Sequence, residues 1–267
     1  MPLDEQGLVI DAARQQFLQI VVEALGRSLD KQNNPNNQLP ENPFTFVPNQ
    51  QQLADFNSIG RIVLDMPLSD HLDIVEQYLM DPKRHDWRAI PLQGIANFTA
   101  SLQHMKSKHL LLTQFSILAP DMQYALCASL ENHQIDEKIS SVLVNWYHQD
   151  TNDEKRLHSV LRGLCQSKAR VVVNSFISLI LSSENGQTNT GLMLIAARHW
   201  LCMKEPAILA LFVEQLAACE DQTFIGLYSD LVQIPEIRKP MLEVLRWPEK
   251  SPQLNQAIGQ LFGQKTS

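Results

Sequence analysis

Glycine is scarce in this chain, 10 residues in 267. Phosphate-cradling Gly-rich loops and a sheet protein built on tight turns are therefore poor fits. No Gly-x-Ser-x-Gly elbow, Walker loop or dinucleotide fingerprint occurs. No two histidines stand in the His-x-x-x-His spacing that sets both rings on one helix face for zinc. No run approaches the roughly 18 consecutive apolar residues of a membrane span. The start, Met1-Pro2-Leu3-Asp4-Glu5, has neither the basic end nor the apolar run of a secretory signal. Cytoplasm is the expected location. Positive charge is also short: 22 Lys and Arg against 29 Asp and Glu give a net charge of −7. Such a chain is a poor general polyanion binder, although a local basic patch remains compatible with it. The four cysteines, Cys127, Cys165, Cys202 and Cys219, are far apart. They are expected as reduced thiols rather than as disulfides or metal ligands, and no cofactor is expected.

What is present is a helical pattern. Hydrophobic residues make up 44%, and Leu, Ala, Gln and Ile abound, so the chain reads as all-α. Apolar residues at the 3, 4, 7, 8 spacing predict a helix over 11–30, with Phe17, Ile20, Val21, Ala24, Leu25 and Ser28 on one face. A second is predicted over 51–64, with Leu53, Phe56, Gly60, Val63 and Leu64 inward, and a third up to Met80, capped by Ser69 or Asp70. Asp70, Asp73 and Glu76 should form the wet face of that third helix. Between the first two helices, residues 31–49 are rich in Asn and Pro and cannot be helical. Phe44 and Phe46 should pin this connector to the fold.

Beyond the polar break Asp81–Asp86, a series of helices is predicted over 88–104, 107–118, 121–132, 135–149, 153–166, 168–182, 189–202, 206–218, 221–233, 236–246 and 252–263. Pro120, Pro206, Pro235 and Pro252 suit first-turn positions. Thr151 with Glu154 reads as a capping box, and Ser183-Glu-Asn-Gly186 as a helix end. Two stretches, Ala169–Leu181 and Gly191–Cys202, are apolar on nearly every side and are expected as inner helices packed on several flanks. From Trp87 to Trp247 the helices fall into pairs of roughly 30 to 34 residues, which stack as an α-solenoid of the HEAT type or an irregular bundle. The expected division is an N-terminal part, 1–86, and a helical-repeat part, 87–267.

Two constellations could carry function. Lys155, Arg156, Arg162, Lys168 and Arg170 are fixed cations with no acid among them, and His158 joins them. Lys155, His158 and Arg162 share a helix face. Such a strip could receive phosphate, an acidic peptide or a nucleic-acid backbone; the plainer reading is a solvated face balanced by Asp150, Asp153 and Glu154. Arg198 and His199, beside Trp200, could form a pocket, or His199 could be a helix-edge residue satisfied by one hydrogen bond. His104 and His109, either side of a Lys-Ser-Lys turn, read as a solvated loop.

Several stretches carry a family likeness: Pro2-Leu-Asp-Glu-Gln-Gly-Leu8, Val22-Glu-Ala-Leu-Gly26, Asn42-Pro-Phe-Thr-Phe46, Leu92-Gln-Gly-Ile95 and Asp230-Leu-Val-Gln-Ile-Pro-Glu-Ile-Arg238. In these the chain resembles an uncharacterised gamma-proteobacterial family of unknown function, number 3549. The likeness is collinear, and none of its motifs is a catalytic signature. The resemblance implies that family members are longer at the N-terminus, with a segment preceding the match to Pro2 that this chain is expected to lack. It implies no activity. Three functions compete on the residues: a non-catalytic scaffold with a protein partner, a helical-repeat nucleic-acid binder using 155–170, and, least supported, an enzyme with an unfamiliar site at Arg198 and His199.

Overall fold

The computed structural model describes residues 8–29, 43, 47–183 and 188–263, and among these it contains fourteen α-helices. The aromatics Phe44 and Phe46 and the helix-ending residues Glu184–Gly186 lie outside the described residues. Helix α1 (Asp11–Leu29) comes first, followed by α2 (Gln50–Val63) and α3 (His71–Met80). Then come α4 (Leu92–Ala100), α5 (Met105–Gln114), α6 (Pro120–Leu130), α7 (Glu137–His148), α8 (Glu154–Gly163) and α9 (Arg170–Leu181). The chain closes with α10 (Asn189–Arg198), α11 (Pro206–Ala217), α12 (Asp221–Gln233), α13 (Pro235–Val244) and α14 (Pro252–Gly263).

The helices form two rows. Helices α2, α4, α6, α8, α10 and α12 pack each on the next; α3, α5, α7, α9 and α11 make the second row, which α14 extends. From α2 to α12 successive helices thus alternate between rows, the arrangement of stacked helix pairs, while α13 packs on α12. One continuous core runs between the rows from Val75 to Ala257, with Trp146, Phe115, Phe176, Phe212 and Phe224 buried in it. Neither α1 nor α2 contributes to it. The close crossing of α4 on α3 needs Gly94, where a Cβ would lie 2.7 Å from the His71 carbonyl oxygen.

Local chemistry explains several departures from the sequence reading. The stretch 88–104 is not one helix: a 3-10 turn over Trp87–Ala89 precedes Pro91, and α4 starts after it, because Pro91 disfavours helical geometry at Ile90. The cap of α8 is Asp153, whose carboxylate accepts from the Arg156 amide at 2.9 Å, so Thr151 and Glu154 form no box. Asp70 stands at the start of α3 without a side-chain cap bond. Glu76 is not on a wet face; it is buried, paired with Lys106 and accepting from Ser107 Oγ at 3.1 Å. The Lys-Ser-Lys segment is the first turn of α5 rather than a loop, with Ser107 buried and both His104 and His109 exposed.

The two greasy stretches are helices with a buried side, but each keeps an outer face. Val171 is 80% exposed, and Leu179 and Met193 are nearly half exposed. The second ends at Arg198 and continues as a 3-10 turn, Trp200–Lys204, with the Trp200 ring only half-buried. In a two-row stack each helix meets neighbours along its own row and across it, which leaves an outward side whatever its residues.

Helix α2 reverses expectation outright. Its buried residues are Ala54, Asp55 and Ser58. The side expected inward faces water, with Leu53 52%, Phe56 78%, Val63 76% and Leu64 70% exposed. The cause is what α2 packs on. It lies against α4 and α6, which present Gln93, Asn97, Thr99, Ser129 and Asn132. On α1, Phe17, Ile20, Val21 and Ala24 are half-buried, while Leu18, Val22 and Leu25 are exposed.

Candidate interaction surfaces

The seam beneath α2 is polar and closed. Asp55 accepts from Ser129 Oγ at 2.5 Å, Asn132 Nδ2 at 3.0 Å and Gln51 Nε2 at 3.1 Å. Thr99 Oγ1 lies 2.6 Å from Ser129 Oγ, which accepts there because its own hydrogen goes to Asp55. Ser58 donates to Asn97 Oδ1 at 2.8 Å, Gln93 Nε2 reaches both Ser58 Oγ (2.8 Å) and Asn97 Oδ1 (3.0 Å), and Asn97 donates to Ser69 Oγ at 2.7 Å. Every buried polar side chain named here has a partner, the condition for burying such groups cheaply. Burial raises the Asp55 carboxyl above the ordinary carboxylate range; the three hydrogen bonds oppose that shift, and Glu131 adds to it.

Beside the seam, a cleft of about 500 Å³ lies between the start of α2 and the ends of α6, α8 and α10. Glu131, just past α6, is clamped there by two arginines. Arg162 Nε and Arg198 Nε each approach one of its carboxylate oxygens at 2.6 Å. The fold thus joins one member of the basic strip to one member of the expected pocket, at an acid that sequence reasoning passed over. The signal was available only as position: Glu131, Arg162 and Arg198 each stand at a helix end, about 31 to 36 residues apart, roughly the repeat length of stacked helix pairs. The cleft offers guanidinium donors and the amides of Gln50, Gln51 and Gln52. It holds no nucleophile–base pair of the kind that activates a hydroxyl or thiol.

The rest of the basic strip is dispersed. Lys155 pairs with Asp121 at 3.6 Å and sits over the Tyr124 ring, 4.0 Å from its centre. Arg156 turns away from that face; its guanidinium lies 5.0 Å from the Trp146 ring centre and 3.5 Å from the Asp153 carboxylate. His158 faces Glu154 at 3.6 Å. Lys168 and Arg170 are exposed beyond the turn into α9, where the Lys168 amide donates to the Ile135 carbonyl at 2.9 Å. Lys155, His158 and Arg162 do line one groove with Tyr124, but each has a carboxylate beside it. On this face Asp121, Glu154 and Glu131 stand beside Lys155, His158 and Arg162 respectively.

His199 is buried, with Nε2 2.7 Å from the Leu161 carbonyl oxygen. Burial lowers its pKa to about 4, against an opposing contribution from that hydrogen bond. The ring is therefore neutral at pH 7, and Nε2–H is the donor to Leu161. It ties the end of α10 to α8 and lines none of the clefts described here. No group of three or more His, Cys, Asp or Glu suited to a metal occurs among the described residues. All four cysteines are free; Cys127 and Cys202 are buried, and Cys165 and Cys219 half-buried.

A second surface is apolar. Leu53, Phe56, Gly60, Leu64, Met66 and Leu92 line an open groove of about 740 Å³ along the outside of α2, with Arg61 at its rim. The Arg61 guanidinium is tied to the Pro67 carbonyl at 2.7 Å. Of the large apolar side chains exposed in the described structure, most precede Met105.

Fold and surfaces together define an all-helical protein of stacked helix pairs in which no described helix is long and apolar enough to cross a membrane. Residues 1–262 match the family model described as "Protein of unknown function (DUF3549)", and the chain belongs to that family. No curated protein and no solved structure matches it.

Proposed function

We propose that this protein is a non-catalytic helical scaffold that docks a protein partner on the outward face of α2, in the cytoplasm. The observation that supports it most is the reversed helix. An apolar stripe running the length of α2 faces water while its polar side is buried and fully bonded. Contiguous apolar surface of this kind marks an interaction site far more often than a bare exterior. Free cysteines accord with a reducing compartment. In the alternative, nucleic-acid binding through 155–170, Lys155, Arg156, His158 and Arg162 already face Asp121, Asp153, Glu154 and Glu131, which leaves the reading to the exposed Lys168 and Arg170.

The test is capture from native extract on three baits: the unmodified chain, Phe56→Asp, and Leu242→Asp as a control on a distant helix. The expected outcome is a specific protein held by the first and third and lost from the second. A partner list indifferent to Phe56→Asp, or no partner on any bait, overturns the reading.

A further inference from the structure

The α2 face has a shape and charge that fit a copy of itself. Going around the helix, Leu53, Phe56, Gly60 and Leu64 follow the i, i+3, i+4 spacing of a single stripe. Gly60 sits in the middle of it. A Cβ built there meets nothing within 4 Å, so the position is an open notch in an otherwise raised stripe. Phe56, one turn away and 78% exposed, is the most prominent knob. If two α2 helices cross antiparallel through their outward faces, about a two-fold axis at the level of residue 58 along the helix, Phe56 of each copy falls opposite Gly60 of the other. The same register sets Leu53 of each opposite Val63 of the other. Reciprocal pairing is what a closed two-fold interface requires.

Charge points the same way. The chain carries a net −7, so most of its surface repels a second copy. Helix α2 has two charged residues, Asp55 and Arg61. Asp55 is buried on the far side, and Arg61 is tied back to Pro67. The stripe itself is uncharged and pays no like-charge penalty on self-contact. A charged partner would find only Arg61 at the rim, one guanidinium nitrogen of which is already held by Pro67.

Area sets an upper bound: Leu53, Phe56, Val63, Leu64 and Met66 are 48 to 78% exposed, and covering all of this surface on both copies would only just reach the roughly 1,200 Å² at which specific interfaces begin. An interface at that threshold is expected to be reversible, with a micromolar midpoint.

We infer that α2 pairs with α2 of a second copy, Phe56 seating over Gly60, to form a two-fold dimer. This rests on the docking role proposed for the same face and names its occupant. Sedimentation analysis of the full chain from about 1 to 200 μM tests it. Mass should rise from 30.3 kDa for one chain toward twice that value. Gly60→Glu fills the notch and puts two like charges at the crossing, so it should weaken association at least tenfold. Because the notch is open and glycine is a poor helix residue, that variant keeps the fold, which an unchanged helical circular dichroism spectrum verifies. A single-chain mass throughout, or a dimer indifferent to both Gly60→Glu and Phe56→Asp, overturns the inference. A chain that stays single yet captures another protein through Phe56 overturns self-pairing while leaving the scaffold reading intact.

Discussion

Helices α2 and α8 are both strongly one-sided, and they face opposite ways. In α8, Leu157, Val160 and Leu161 are fully buried, and Glu154, Lys155 and Arg162 point out. In α2, Asp55 and Ser58 are buried and Leu53, Phe56 and Val63 point out. Periodicity finds each helix and shows that it has two unlike sides. It does not say which side the neighbours want. That depends on the surface each helix meets, and α2 meets Gln93, Asn97, Ser129 and Asn132 rather than an apolar row.

The widest gap between the two helices should appear on truncation. Leu161→Ala is predicted to lower unfolding stability by about 2 to 5 kcal/mol, as for a fully buried leucine. Phe56→Ala, although it removes a larger side chain, should change monomer stability by less than about 0.5 kcal/mol. Urea denaturation at low protein concentration measures both. Similar losses from the two would mean that the α2 stripe is covered and that the contrast is false.

A somewhat smaller effect inverts the usual ranking within α2 itself. Asp55→Ala leaves Ser129, Asn132 and Gln51 without their acceptor, a predicted cost of roughly 2 to 3 kcal/mol. Leu53→Ala should cost almost nothing. If the leucine proves the more costly of the two, the seam is not what holds α2 in place.

The smallest effect concerns acid. His199, on the α10 side, has its folded pKa depressed to about 4 from 6.5. The unfolded chain therefore takes up the proton first, and the stability His199 confers above pH 6.5 is lost as pH falls toward 4. Between pH 7 and pH 5 this amounts to about 2 kcal/mol. Asp55 runs the other way. Its folded pKa is raised above 3.8, so its contribution is full below 3.8 and is lost as pH rises through the folded value. His199→Gln should flatten the decline in urea midpoint from pH 7 to pH 5, whereas Asp55→Asn should leave that decline no shallower. Identical pH profiles for His199→Gln and the unmodified chain would remove the histidine from this account.

Much of the architecture was legible beforehand because helix position is a local property. Pro120, Pro206, Pro235 and Pro252 do mark first turns, and the predicted extents from α5 onward run within a few residues of the helices, apart from α5 and α10, each of which stops short before a 3-10 turn. The orientation of α2 and the all-round burial expected of 169–181 and 191–202 were misread for a common reason: both depend on what a helix meets across space. The clamp at Glu131 was half visible. Arg162 and Arg198 each stood out, in separate constellations, but their repeat-length spacing from Glu131 was the one sign that both would share its carboxylate.

The polar seam also sets the azimuth of α2. A helix resting on grease can roll by a fraction of a turn at little cost, since apolar contacts have no direction. Rolling α2 by half a turn would tuck Phe56 and Leu53 inside, yet it would strip Asp55 from Ser129 and Asn132 and Ser58 from Asn97, stranding donors and acceptors in the dry interior. Directional bonds of this kind act as a detent, holding the helix at the one angle that keeps its greasy side turned toward whatever arrives from solution.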